Sequence, residues 1–173
     1  MTSERDIVMF NFVEQNSERK YIPVTESDIN RIEEKFGIVF PDILKEYYLK
    51  YNGMYIHTVE LSYDDGEITG VGGIIPVITN EMIDGTIPDE YSVECIKENE
   101  LNEPYNRVLP NLIPFAVNEG GDYYYWDTKD GKVYISFNAD EDENGTEIPY
   151  YICSSVDEMF RLMSEEYEKE MQG

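Results

Sequence analysis

Basic side chains are scarce in this sequence of 173 residues, which has 13 Lys and Arg against 37 Asp and Glu and a net charge of −24. Nucleic-acid binding needs cations that displace counterions from phosphates, so we expect none here. Anionic membrane surfaces should repel the chain as well. The sign of the charge favours a basic partner. An equal alternative is that the acidity serves only solubility.

Cysteines and long apolar runs are also few. Cys95 and Cys153 cannot build a disulfide scaffold, and we interpret them as reduced and buried. No stretch approaches the roughly 18 apolar residues of a membrane-spanning helix. The apolar segment 7–13 follows acidic residues rather than the basic region of a signal peptide. These absences predict one soluble, cytoplasmic domain over residues 1–173.

Catalytic and metal-binding motifs are missing too. His57 is the only histidine, so the sequence offers no set of ligands with metal-binding spacing. Carboxylates in so acidic a chain pair by chance, so such pairs do not indicate a hydrolase. The segment DEDENG (140–145) matches the start of an EF-hand loop, but Tyr151 stands where the loop needs a bidentate Glu. Its Asn144-Gly145 predicts a hairpin turn instead. We therefore expect no enzymatic activity, no cofactor and no metal.

Three segments carry strong helix signals, with a start signal and apolar residues at helical spacing. They are TESDINRIEEKFG (25–37), PDILKEYYLKYNG (41–53) and SSVDEMFRLMSEEYEKEM (154–171). Weaker patterns predict a helix over 3–16 and a short one over 89–100.

Strand patterns occupy the middle of the chain. They cover residues 55–63, 71–79 and 112–117, and Asp64-Asp65-Gly66 separates the first two. Helices towards both ends of the chain with strands between them predict an α+β fold, in which the helices pack around a twisted, mostly antiparallel sheet.

The segment GGDYYYWDTKDGKVYISF (120–137) is the most informative one. Its two glycines precede a strand and no Lys-Ser/Thr follows, so it is not a phosphate-binding loop. Asp130-Gly131 predicts a two-residue hairpin turn with Trp126 opposite Ile135. On that register the core face carries Tyr124, Trp126, Val133, Ile135 and Phe137. The opposite face, which is exposed unless a helix covers it, carries Tyr123, Tyr125, Asp127, Tyr134 and Ser136.

The order of these segments resembles the SUKH superfamily, and within it the clade named for the yeast Smi/Knr cell-wall regulators. The resemblance is carried by TESDINRIEEKFGIVFP, PDILKEYYLKYNG, LIPFAVNEGGDYYYWD and SSVDEMF, and it covers about 23–53 and 108–160. One departure is Met54, where the family often has a second glycine after Asn-Gly. The resemblance implies a single α+β domain without enzymatic activity. Bacterial members are largely immunity proteins that neutralise toxin domains, often nucleases, whereas fungal members are scaffolds in cell-wall signalling.

The acidity and the resemblance converge on an immunity protein that occludes a basic toxin domain of the nuclease type. The alternative is a non-enzymatic regulatory scaffold of the kind that regulates cell-wall and glucan synthesis. The predicted partner-binding residues are Asp64, Asp65, Glu67, Asp122, Tyr123, Tyr125, Asp127 and Tyr134. If substitutions on the tyrosine face leave toxin binding and protection unchanged, the stretch 80–107 is the next candidate.

Overall fold

The computed structural model describes residues 9–14, 23–63, 66–79, 91–101 and 111–173. Most of the predicted helix over 3–16 lies outside these residues, as do Asp64 and Asp65 and part of the 80–107 stretch. Within the described residues the chain forms four helices and seven strands.

The helices begin where the sequence signals predict. Thr25 Oγ1 accepts a hydrogen bond from Asp28 N (3.2 Å), and the Asp28 carboxylate accepts one from Thr25 N (2.9 Å), which forms a capping box. Ser155 Oγ likewise accepts a bond from Glu158 N (3.0 Å) at the start of the last helix. The helices are α1 (Glu26–Phe36), α2 (Asp42–Tyr51), α3 (Val93–Leu101) and α4 (Val156–Gln172). All three strong helix predictions are confirmed. The short helix expected over 89–100 is present as α3, which begins at Val93 and ends one residue later than expected, at Leu101.

The strands form two antiparallel sheets. Their bounds are β1 (Val59–Tyr63), β2 (Glu67–Val71), β3 (Gly73–Ile74), β4 (Leu112–Val117), β5 (Tyr123–Asp127), β6 (Val133–Glu141) and β7 (Glu147–Cys153). β1 pairs with β2, and the other five form a sheet in the order β3-β4-β5-β6-β7. The predicted α+β fold with a mostly antiparallel sheet is thereby confirmed. Among the described helices, none is both long enough and apolar enough to cross a lipid bilayer.

The main core lies between the inner face of the five-stranded sheet and the helices α1, α2 and α4. Trp126 from β5 packs against Phe40 with ring centroids 6.0 Å apart, and Tyr47 from α2 packs against Phe160 from α4 at 5.7 Å. Trp126 is 3% exposed and Ile135 is fully buried. The core face predicted for the β5–β6 hairpin is therefore confirmed.

The register of the β5–β6 hairpin differs from its prediction by two residues, because Trp126 lies opposite Val133 rather than Ile135. The turn is the cause. Gly131 N donates to Asp127 O (2.8 Å), which closes a four-residue loop instead of a two-residue turn. Because the shift is even, each side chain stays on its predicted face.

The β6–β7 connection is the hairpin predicted at Asn144-Gly145. Glu141 lies opposite Glu147, and Asp142 Oδ1 accepts hydrogen bonds from Asn144 N (2.8 Å) and Thr146 N (3.0 Å). The acidic segment is therefore a turn in which one carboxylate holds the backbone.

The strand predicted over 71–79 has the wrong bounds. β2 begins at Glu67, immediately after the Gly66 turn, and β3 contains only two residues. Pro76 has no N–H for a strand ladder, and Val77 N donates to the side chain of Asn52 (2.8 Å) instead. The chain therefore leaves the sheet after β3, which leaves part of the β4 edge free for another element.

Candidate partner-binding surface

The outer face of the five-stranded sheet, opposite the main core, carries a group of tyrosines. Tyr134 of β6 lies opposite Tyr151 of β7, with ring centroids 6.1 Å apart. Tyr123 projects from the neighbouring strand β5 on the same face. Tyr151 is 44% exposed, and Tyr123 and Tyr134 are half-buried. We call these three residues the tyrosine patch.

Tyr125 is not part of the exposed face on which the sequence analysis placed it. The side chain is 1% exposed, and its hydroxyl donates to Glu100 Oε1 of α3 at 2.6 Å. α3 packs against β4 beyond the short β3, where Lys97 Nζ donates to Leu112 O at 2.7 Å. The helix-covered alternative therefore holds for β4 and for the middle of β5 around Tyr125. The other half of the face, formed by β6, β7 and the two ends of β5, is open.

Burial dominates the electrostatics beneath α3. It raises the pKa of Glu100 to about 7, although the hydrogen bond from Tyr125 and the charge of Lys97 act in the opposite direction. Burial also lowers the pKa of Lys97 and raises the pKa of Tyr125. A pKa of about 7 places the titration of Glu100 in the neutral pH range, next to the buried Tyr125 hydroxyl.

Carboxylates surround the open half of the face. The pKa of Tyr134 is raised by partial burial and then by the charges of Asp130 and Asp127. Glu147 Oε2 accepts a hydrogen bond from the Ser136 hydroxyl at 2.8 Å. An aromatic floor with an acidic rim suits a cationic protein surface, because tyrosine rings attract cations through their faces and carboxylates attract them at longer range.

Two of the predicted site residues hold turns at the ends of β5. Asp122 N donates to Asn118 Oδ1 (2.8 Å), and Asn118 Nδ2 donates to Asp122 Oδ2 (3.0 Å). Gly121 between them adopts a φ of +86°, which explains why a glycine is needed there. Asp127 Oδ1 accepts a bond from Lys129 N (2.8 Å) at the opposite end. Asp122 thus stabilises the turn before β5. Asp127 stabilises the turn after β5 and also lies on the acidic rim.

Glu67 lies away from the tyrosine patch. It pairs with Tyr63, whose ring packs against Phe137 and Tyr150 on the inner side of the sheet, at 5.3 and 5.9 Å. The β1–β2 hairpin is therefore not on the outer face, and Asp64 and Asp65 in its turn lie outside the described residues. Of the predicted site residues, the structure brings together on the open face Tyr123, Asp127 and Tyr134.

Sequence reasoning missed Tyr151, Glu147 and Glu100. A signal existed for the first two, because alternation in EIPYYIC (147–153) predicts a strand that follows the Asn-Gly hairpin and pairs with β6. Pairing that strand would have placed Tyr151 beside Tyr134. Glu100 gave no such signal, because its position depends on how α3 docks.

The fold and the surface together define the class: an acidic α+β domain whose antiparallel sheet is packed by helices on its inner face and presents an aromatic, acid-rimmed surface on the open half of its outer face. The chain belongs to the SMI1 / KNR4 family (SUKH-1), whose family model matches residues 23–162. This match confirms the resemblance drawn from the sequence. No curated protein and no solved structure matches the chain.

Proposed function

We propose that this protein is an immunity protein that binds a basic toxin domain and blocks it by occlusion. The observation that carries the proposal is the combination of a net charge of −24 with a tyrosine patch on the open half of the sheet. Family membership supports it, because the resemblance of the sequence to the SUKH superfamily implies this role for bacterial members.

The two features of the surface have different tasks in this proposal. Long-range attraction between the acidic chain and a basic domain raises the association rate. Tyrosines buried on contact provide apolar area at a low cost in conformational entropy, which slows dissociation. Tyr134 and Tyr151 are suited to this, because their rings already pack together in the free protein.

Occlusion needs no chemistry from this chain. A nuclease domain has to present cations to its substrate phosphates, and an acidic protein that covers those cations competes directly with the nucleic acid. We accordingly propose that the chain has no enzymatic activity of its own and acts in the cytoplasm on a protein partner.

Co-expression with a candidate toxin domain, taken from the product of the neighbouring gene, tests the proposal. Cells that express the domain alone should stop growing, and cells that also express this chain should grow, with the two proteins eluting together in size-exclusion chromatography. A double variant, Tyr134→Ala with Tyr151→Ala, should lose protection, whereas Tyr55→Ala, which removes a tyrosine 54% exposed elsewhere, should retain it. Absence of both a complex and protection with the unaltered chain would contradict the proposal and favour the regulatory scaffold.

A further inference from the structure

The open half of the outer face contains a corner formed by two rings and one carboxylate. Tyr134 on β6 lies opposite Tyr151 on one side and opposite Tyr125 on the other. Asp127 follows Tyr125 by two residues on the same face of β5, so it is a diagonal neighbour of Tyr134, within reach of a long side chain. The rings of Tyr134 and Tyr151 are inclined at 71° to each other. We call Asp127, Tyr134 and Tyr151 the corner site.

The Asp127 carboxylate uses one oxygen within the protein and leaves the other open. Oδ1 accepts the hydrogen bond from Lys129 N that holds the turn. Oδ2 is not buried and accepts no hydrogen bond from a residue that the structure describes. Asp127 can therefore hold its turn and bind a cation at the same time.

Two lysines of the same loop lie near the corner site without occupying it. Lys132 O accepts a hydrogen bond from Asp127 N (2.9 Å), which places Lys132 directly across from Asp127. The Lys132 ammonium lies 4.0 Å from Asp130 Oδ2 instead. Among the described residues, neither it nor the Lys129 ammonium forms an ion pair with Asp127 or lies over the Tyr134 ring. Lys132 is thus a nearby competitor that leaves the corner site open.

We propose that the corner site binds an arginine side chain of the partner, whose guanidinium stacks on Tyr134 and donates to Asp127 Oδ2. The proposal rests on the proposed function, since the partner is the basic toxin domain. A guanidinium is flat and carries donors along its edge, so a single group makes both contacts. An ammonium is a compact, strongly hydrated charge that matches this geometry less well. Arginine also binds phosphates through paired hydrogen bonds, so a site that captures one competes with the nucleic acid for it.

Two substitutions should change the affinity in opposite directions. Asp127→Asn keeps Oδ1 for the turn but removes the charge, and it should weaken toxin binding by at least about tenfold, mainly through faster dissociation. Lys132→Gln removes the competing ammonium, and it should tighten binding by about two- to fivefold. A variant that binds more tightly cannot owe its effect to a damaged fold.

Each substitution has a control with the same change in net charge. Glu60→Gln removes an exposed carboxylate from β1, and Lys169→Gln removes an ammonium from α4 that is 71% exposed. Neither residue lies on the outer face of the five-stranded sheet, so both variants should bind like the unaltered chain. Surface plasmon resonance against the candidate toxin domain, inactivated by substitution in its own active site, measures all four variants.

NMR of the toxin domain with isotopically labelled arginine and lysine side chains identifies the bound group. One arginine Nε–H signal should move upfield in the complex, because the ring current of a tyrosine shields a group stacked on its face. The shift should be lost with Tyr134→Leu, which keeps apolar bulk without the ring. A measurement without the toxin titrates the unaltered chain with Nα-acetylarginine methylamide or Nα-acetyllysine methylamide. The arginine probe should shift the ring signals of Tyr134 and Tyr151 at least about twice as far.

The outcomes separate the corner site from the immunity function. Weaker binding with Asp127→Asn, tighter binding with Lys132→Gln and one shielded arginine support the site. Tight binding in which Asp127→Asn behaves like Glu60→Gln, or in which a lysine is shielded instead, overturns the site and leaves the immunity function standing. No complex with the toxin domain, but a preference for the arginine probe, overturns the immunity function alone. No complex and no such preference overturn both.

Discussion

At the residue scale, two tyrosines with the same sequence pattern have different roles. Tyr123 and Tyr125 alternate on the same face of β5, yet Tyr125 is buried against Glu100 while Tyr123 remains half-exposed at the edge of the open surface. A substitution of Tyr125 would therefore remove core packing and a buried hydrogen bond, and it would report on stability rather than on binding. Binding has to be tested at residues whose removal leaves the fold intact.

Tyr151 is the residue that best separates binding from stability. Its ring is 44% exposed, so Tyr151→Ala should change the free energy of unfolding by less than about 1 kcal/mol. Loss of the same ring from an interface should weaken toxin binding by about tenfold or more, with the change in the dissociation rate. Surface plasmon resonance together with urea denaturation measures both.

The control for this prediction is Tyr55→Ala, since that side chain is 54% exposed and lies in the segment before β1. It should leave the dissociation rate unchanged. Equal losses of affinity in the two variants would show that the effect is not specific to the tyrosine patch.

At the element scale, the β5–β6 hairpin shows how a loop sets a register. Its four-residue loop depends on Gly131, which adopts a φ of +77°. Asp130 Oδ1 accepts a hydrogen bond from Lys132 N (2.9 Å), so local side chains support the same turn. The hairpin carries Tyr123 and Tyr134, and the geometry of the patch therefore depends on this loop.

Gly131→Ala should lower the free energy of unfolding by about 1 kcal/mol. No atom lies within 4 Å of the Cβ that the substitution adds, so the cost arises from the positive φ rather than from a clash. Gly131→Asn is the matched variant, and it should cost less because asparagine tolerates the left-handed region. Urea denaturation of both variants measures the difference, and an equal cost would contradict this explanation.

At the scale of the whole molecule, the proposed capture of a basic partner depends on charge. The net charge of −24 acts over distances longer than any single contact. Raising NaCl from about 50 to about 500 mM should lower the association rate with the toxin domain by at least about tenfold, because salt screens long-range attraction. Stopped-flow fluorescence measures the rate.

The salt dependence should be the same in Tyr151→Ala, which changes no charge. An association rate that does not respond to salt in the unaltered chain would contradict a role for the acidic surface in capture. A changed salt dependence in Tyr151→Ala would show that the tyrosine patch and the long-range charge do not act separately.

Local patterns in the sequence determined the helices, the hairpins and the identity of the inner face. Capping and the spacing of apolar residues act within a few positions, so Thr25 and Ser155 marked their helices correctly. Strand alternation has a period of two, and it assigned Trp126 and Ile135 to the core even though the register was shifted. Composition determined the charge of the molecule without reference to its fold.

The tertiary structure alone decided which half of the outer face is open. α3 covers Tyr125 because β3 is short and leaves part of the β4 edge unpaired by a strand. At that edge Lys97 of α3 donates a hydrogen bond to Leu112 O. Tyr151 completes the patch because β7 pairs with β6. These arrangements join residues that are distant in the chain and depend on the packing of whole elements, which no local pattern encodes. The raised pKa of Glu100 likewise depends on the tertiary structure, because its cause is burial, which is a property of the folded molecule.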